Sequence, residues 1–219
     1  MTEWWSYRPS DFLMFSPRVY FRQIANFNVG LWPLHLAMVL IGVGLLCLVL
    51  RGRPNDRRIV AVTLAVLWLF VAYAYLWMRL SSINWAATYA AIGFGAQAIL
   101  TVCVHTRPTG ADRRLPRKLP GVIVAAVSIL AYPALFVFSG RGHGQSEVFG
   151  IMPDPTVLAT IGLLAASRQR YDFVLFVIPC LWCVVSSVTL YTMHDTTWWV
   201  SLAIGFSGLM AAVAERGKT

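Results

Sequence analysis

Eight polar residues of this 219-residue chain stand beside or within long apolar runs and carry side chains that bind or ligate: His35, Arg79, Asn84, His143, Glu147, Asp154, His194 and Asp195. Two chemistries follow from their types. Imidazoles and carboxylates together form a divalent-metal donor set, which on this reading is His143, His194, Asp154 and Asp195 at one face of the protein. Alternatively, Asp154, Thr156, His35, Asn84, Trp85, Arg79 and Gln97 offer charge, hydrogen bonds and an aromatic wall to a small solute or ion. No catalytic residue is expected. No cofactor is implied beyond the metal that the first cluster would hold.

The sharpest local feature is Pro153-Asp154-Pro155-Thr156. Aspartate is a favoured N-cap and proline is favoured at the first helical position, so a helix is expected to start there with Asp154 as its cap. From Pro155 to Ser167 is 13 residues, about 20 Å at 1.5 Å each and roughly 10 Å less than a bilayer's hydrocarbon thickness. Either a short helix is accommodated by its surroundings, or residues 149–153 enter the protein as irregular backbone and the helix begins below the surface. In the second case the positive helix end faces an outer cavity, and Asp154 offsets that dipole or holds a cation.

Other chemistry is sparse. Cys180 and Cys183 share a helix face at i, i+3 spacing and could bind a soft metal as thiolates, or serve as small apolar side chains. No disulfide framework is implied by Cys47, Cys103 and this pair. A phosphate-binding glycine loop, a nucleophile elbow and a His-Glu-x-x-His zinc motif are missing. An ionisable group at a bilayer centre costs about 3 kcal/mol unless paired or hydrated. The middle of the runs carries none, only Gln97 and hydroxyls such as Thr63, Ser128, Ser186 and Ser187.

The elements that position these residues follow from composition. Hydrophobic residues make up 58% of the chain, charged residues 12%, and mean hydropathy is +0.65, outside the range of soluble domains. A spanning helix needs about 20 mostly apolar residues. Seven runs qualify, near residues 31–50, 59–78, 84–104, 119–139, 149–167, 173–191 and 197–214. The expected fold is an all-α integral membrane bundle of about seven transmembrane helices, a single domain over residues 30–219.

Basic residues resist translocation and so report orientation. Thirteen Lys and Arg follow runs one, three, five and seven, among them Arg51, Arg57, Arg58, Arg113 and Arg168; five fall on the other side. The N-terminus is expected outside and the C-terminus inside, in a bacterial inner membrane. The net charge of +9 is read as this topology signal and no nucleic-acid partner is inferred. Residues 1–29 hold no cleavable leader pattern; their aromatics (Trp4, Trp5, Tyr7, Phe12, Phe15, Tyr20, Phe21) interspersed with Arg8, Arg18 and Arg22 suit an interfacial helix, as an anchor or as a lid.

Small residues set helix packing in lipid. Ala87, Ala91 and Gly95, with Ala86, Ala90 and Ala98 beside them, predict that the third span lies centrally. Ser207 and Ala211, with Gly208 and Ala212, repeat the pattern in the seventh. No internal sequence repeat is found, although spans one to three and four to six would run in opposite orientations.

Several local patterns resemble a bacterial membrane-protein family known only as domain of unknown function 6064. They are Asn28 with Trp32-Pro33, Ile83-Asn84 with Ala86-Ala87, Tyr132-Pro133, Phe149-Gly150, Pro153-x-Pro155-Thr156 with Thr160 and Gly162-Leu163-Leu164, and Ile178-Pro179 with Trp182. The resemblance spans most of residues 20–212. It implies the multi-pass architecture and singles out the start of the fifth span, where other members commonly carry Cys in place of Asp154; the Cys180 and Cys183 pair is not shared. It implies no activity, although some members are labelled permeases.

Three functions remain open. A permease or channel would hold a small solute or ion in an outward-facing cavity around Asp154, Asn84, Trp85 and His35, with a polar path past Gln97. A non-catalytic subunit would use its aromatic N-terminal segment and small-residue faces to dock, with its own copies or within a membrane complex. A membrane-embedded metal protein or enzyme would use the outer His/Asp cluster.

Overall fold

The computed structural model describes residues 15–105, 115–167 and 173–214, and among these every regular element is helical. Helix α1 (Pro17–Gly30) starts with Pro17 in the first turn, where a missing N–H costs nothing, and with the Ser16 hydroxyl accepting from the Val19 N–H at 3.4 Å. Then come α2 (Leu34–Arg51), α3 (Pro54–Phe70), α4 (Ala86–His105), α5 (Leu115–Ala126), α6 (Phe136–Ser139), α7 (Pro153–Ala166), α8 (Val174–Thr192) and α9 (Val200–Ala214). Helix α3 continues through a π-helical turn, Val71–Trp77. Helix α5 does so through Val127–Ala131 and a 3-10 turn, Tyr132–Leu135, that leads into α6. Pro133 supplies no N–H to the turn before it, so a regular α-helix cannot pass through Tyr132-Pro133 unchanged.

Apart from α1, which precedes them, the α-helices fall on the apolar runs. Five are long and apolar enough to cross a membrane: Leu34–Arg51, Asn55–Ser82, Ala86–Val104, Lys118–Ser139 and Val174–Thr192. Pro153–Ala166 and Val200–Ala214 are apolar but shorter. One end of the bundle gathers basic residues against backbone carbonyls and an acid. Arg51 donates to both Asp56 oxygens at 2.9 and 2.5 Å, Lys118 donates to the Val49 carbonyl at 2.9 Å, and Arg57 to the Ser167 carbonyl at 2.8 Å. Residues 1–14, with Trp4, Trp5, Tyr7, Arg8 and Phe12, lie outside the described residues, as do Arg107, Arg113, Arg114, Arg168, Arg170, Arg216 and Lys218.

The centre of the bundle is α7, in which every residue from Pro153 to Ala166 is buried. It packs most extensively against α5 and then against α9 and α8. This corrects the expectation that the third span is central: α4 packs chiefly on α3 and α8, and most of it faces outward. The reason is visible at two glycines. A Cβ on Gly121 would meet the Ala166 nitrogen at 2.5 Å, and one on Gly162 would meet the Ala125 nitrogen at 2.4 Å. The α5 and α7 backbones therefore touch, which only glycine permits. In α4 a Cβ on Gly95 would meet nothing within 4 Å. In α9 the packed face is Ser201, Gly205, Gly208 and Ala212, so half of the predicted pattern is used.

Helix α1 lies across the end of the bundle opposite Arg51 and Asp56. Its inner face buries Ile24, Phe27 and Asn28, and the Asn28 amide donates to the Gly144 and Ser146 carbonyls, both at 2.8 Å. Gln23 donates to the Arg79 carbonyl at 2.7 Å. Residues 17–30 are thus docked on the chain's own loops.

Candidate functional site

Asp154 is 6% exposed and its carboxylate is surrounded by donors from three other helical stretches. Oδ2 accepts from the Tyr132 hydroxyl at 3.0 Å, the Ser186 hydroxyl at 2.5 Å and the Ser201 hydroxyl at 2.9 Å, while Oδ1 accepts from the Trp182 indole at 2.7 Å. Four donors on one carboxylate offset much of what it loses on leaving water. Each is placed by a local feature. Tyr132 follows the π-helical turn of α5 that Pro133 imposes; Trp182 and Ser186 share a face of α8 at i, i+4; Ser201 opens α9 on its packed face.

The helix start differs from expectation. Pro153, not Pro155, is the first helical residue of α7, Met152 stands at the cap, and no side chain caps it. Asp154 therefore sits in the first turn, where its charge complements the helix dipole while its oxygens serve the side-chain donors instead of the backbone. Thr156 does the local work: its hydroxyl accepts from the Gly150 N–H at 2.8 Å and donates to the Met152 carbonyl at 2.6 Å. Residues 148–152, a non-helical turn, are buried inside the protein, as the second of the two arrangements requires.

Trp182 is the ninth of the nineteen residues of α8, so the carboxylate reaches the midpoint of that helix. The expectation that the middle of the bundle has no ionisable group is corrected, because a residue from the start of a short helix is counted near the end of its run. The indole is held edge-on to Phe94, ring centroids 5.0 Å apart, and Phe94 lies 4.3 Å from Trp68, whose indole donates to Thr160 of α7 at 2.9 Å.

A narrow cleft of about 70 Å³ opens beside these donors, between α4 and α8. Trp182 and Ser186 form one wall with Thr189, Ala86, Ala87 and Ala90 the other, and Tyr20 and Asn84 line it too. Part of the small-residue face of the third span thus leaves space beside a neighbour.

The remaining predicted residues are placed elsewhere. Asn84 lines the cleft, though its side-chain oxygen accepts from the Ala86 N–H at 3.0 Å. His35 Nε2 lies 3.1 Å from the Asn28 side-chain oxygen, under α1. Trp85 is exposed and stacks edge-on with Tyr89, and Arg79 is exposed near the Phe27 ring. Gln97 is fully buried and donates to the Leu175 carbonyl at 2.9 Å, bracing α4 against α8. The metal set does not assemble: no group of three His, Cys, Asp or Glu suited to a metal exists among the described residues. His143 and His194 are exposed, and Asp195 is taken by Arg141.

Sequence reasoning missed Arg141. Its guanidinium donates to Asp195 at 2.9 Å from Nε and lies 2.7 Å from it at Nη2, donates to Thr197 at 3.0 Å and to Glu147 at 3.2 Å, and sits 4.2 Å above the Phe21 ring of α1. Burial pushes the Glu147 carboxyl up to about 8, the Asp154 charge adding to it and Arg141 opposing it. Of the Asp154 donors, Ser186 is legible as a mid-run hydroxyl and Tyr132 and Trp182 as motif residues, whereas Ser201 carries no sequence signal.

A model of a family of unknown function, DUF6064, matches residues 17–218, from α1 through α9 and including every donor to Asp154. The chain belongs to that family. No curated protein and no solved structure matches it, so the family brings no chemistry to the Asp154 cage.

Proposed function

We propose that this chain is a permease-like protein of a bacterial inner membrane, with seven spans, the N-terminus outside, the C-terminus inside and α1 at the outer surface. Its site is Asp154, reached through the cleft between α4 and α8, and its solute is small and cationic or hydroxyl-bearing. The observation that carries this reading is a carboxylate buried at the midpoint of α8, two of whose donors, Trp182 and Ser186, also line a cleft. A buried charge with nearby space is the feature that membrane proteins spend stability on when they move solutes. The exposed apolar side chains of α2, α4 and α8 suit a lipid environment.

The test is uptake into proteoliposomes of a panel of labelled small amines and polyols. At least one should enter with wild type and fall tenfold or more with Asp154→Asn, at equal protein incorporation. Uptake that Asp154→Asn leaves unchanged overturns the reading. One observation favours a second reading, a non-transporting subunit: all four donors are spent on Asp154, which ties α7 to Tyr132, α8 and α9 as a purely structural knot would. An inert liposome panel together with stoichiometric co-purifying membrane proteins decides for it.

A further inference from the structure

A second cleft, about 540 Å³ and more open than the first, lies between α1 and the loop that follows α6. Arg18 and Arg22 stand on one wall at i, i+4 spacing, so their guanidiniums project from the same face of α1. Both are exposed, and among the described residues neither has a salt bridge or side-chain hydrogen bond. Arg141 closes the opposite wall, with Ser139 and Gln145 as neutral hydrogen-bonding groups and Phe21 as an apolar flank. Among the described residues the one acid lining the cleft, Asp195, is already consumed: it accepts from Arg141 at 2.9 Å and from the Thr197 N–H at 2.8 Å.

The balance of charge decides what fits. Arg141 and Asp195 cancel, which leaves two forked cations, without an acidic partner among the described residues, lining a concave space with neutral hydrogen-bonding groups at its edge. Guanidinium forks match the oxygens of a tetrahedral phosphate, and paired forks on one helix face hold it better than a diffuse basic surface. We propose that this cleft is a binding site for a phosphate-bearing anion, gripped by Arg18 and Arg22, with Ser139 and Gln145 as further contacts. The site is independent of Asp154 and of transport. The phosphate belongs either to an anionic lipid headgroup or to a free ion, since α1 lies at an end of the bundle where both would be met.

The full-length protein in mild non-ionic detergent tests this with two probes, phosphatidylglycerol and inorganic phosphate, their binding measured by native mass spectrometry and by calorimetry. Wild type is expected to bind at least one of them ten or more times tighter than R18Q/R22Q. A control, R53Q/R58Q, removes the same charge from the opposite end and should keep wild-type affinity. Lipid retention that excess phosphate does not displace assigns the headgroup; phosphate binding alone assigns the free ion. Equal binding by wild type and R18Q/R22Q, an equal loss in R53Q/R58Q, or no binding of either probe overturns the proposal. Arg18 and Arg22 are exposed, so an unchanged melting temperature in R18Q/R22Q keeps the comparison one of binding.

Discussion

At the scale of single residues the bundle depends on two buried acids that are treated in opposite ways. Asp154 is given four donors, so removing it takes the acceptor from the buried Ser186 and Ser201 hydroxyls and from the Trp182 indole beside the cleft. An unpaired buried donor costs about 1–3 kcal/mol, and Asp154→Ala should therefore destabilise by about 3 kcal/mol or more, Asp154→Asn by less because the amide keeps one acceptor. Thermal unfolding in detergent followed by circular dichroism checks this; equal melting temperatures for wild type and Asp154→Ala would count against the cage. Glu147 has one long contact, to an arginine whose shorter bonds go to Asp195, and burial holds its carboxyl near 8, above its ordinary 4.5. The folded state then binds the proton more tightly than the unfolded one. Its contribution to stability is full below about pH 4.5 and is lost progressively as pH rises through 8. Melting temperature should fall between pH 6 and pH 9 in wild type and fall less in Glu147→Gln; parallel curves would remove Glu147 from the account.

Among the elements, the decisive one is α7, whose fourteen residues are all buried. Gly121→Ala or Gly162→Ala places a methyl group against backbone atoms that cannot swing aside, and each should cost about 3 kcal/mol or more. Loss of the monodisperse peak on size-exclusion chromatography would show it, with Gly95→Ala as the silent comparison because its surroundings are open. The apolar runs were legible because lipid and protein interior both demand them. Which helix is central was not, since hydropathy does not distinguish a side chain facing lipid from one facing another helix. Ala87 and Ala91 are buried as their spacing suggests, yet Ala87 and Ala90 line a cleft, and a backbone-to-backbone approach that leaves no room for a Cβ instead joins the helices at Gly121 and Gly162, which lie 41 positions apart. Asp154 was legible as a helix-start residue from its flanking prolines. Tyr132, Trp182 and Ser186 were each visible as residues, but their convergence on Asp154 was not, because they meet it and Ser201 only through the packing of three separate stretches.

For the whole molecule, the two ends differ in kind, and that difference bears on orientation. One end joins Arg51, Asp56, Arg57 and Lys118 to nearby carbonyls and to each other; the other carries α1, the buried Arg141 cluster and both clefts. The basic excess at the first end is what supports the proposed orientation, with that end at the cytoplasm and the clefts outward. Gly142 and Arg58 are exposed at opposite ends and make the test direct. In a background where Cys47, Cys103, Cys180 and Cys183 are replaced by alanine, Gly142→Cys should react with a membrane-impermeant maleimide on intact spheroplasts, and Arg58→Cys only after permeabilisation. Labelling in the reverse order would turn the clefts to the cytoplasm. Labelling of both from outside would mean that the helices between residues 58 and 142 do not cross an odd number of times. That result would contradict the proposed seven spans, in which α3, α4 and the Lys118–Ser139 stretch, each long and apolar enough to cross, traverse the membrane in turn.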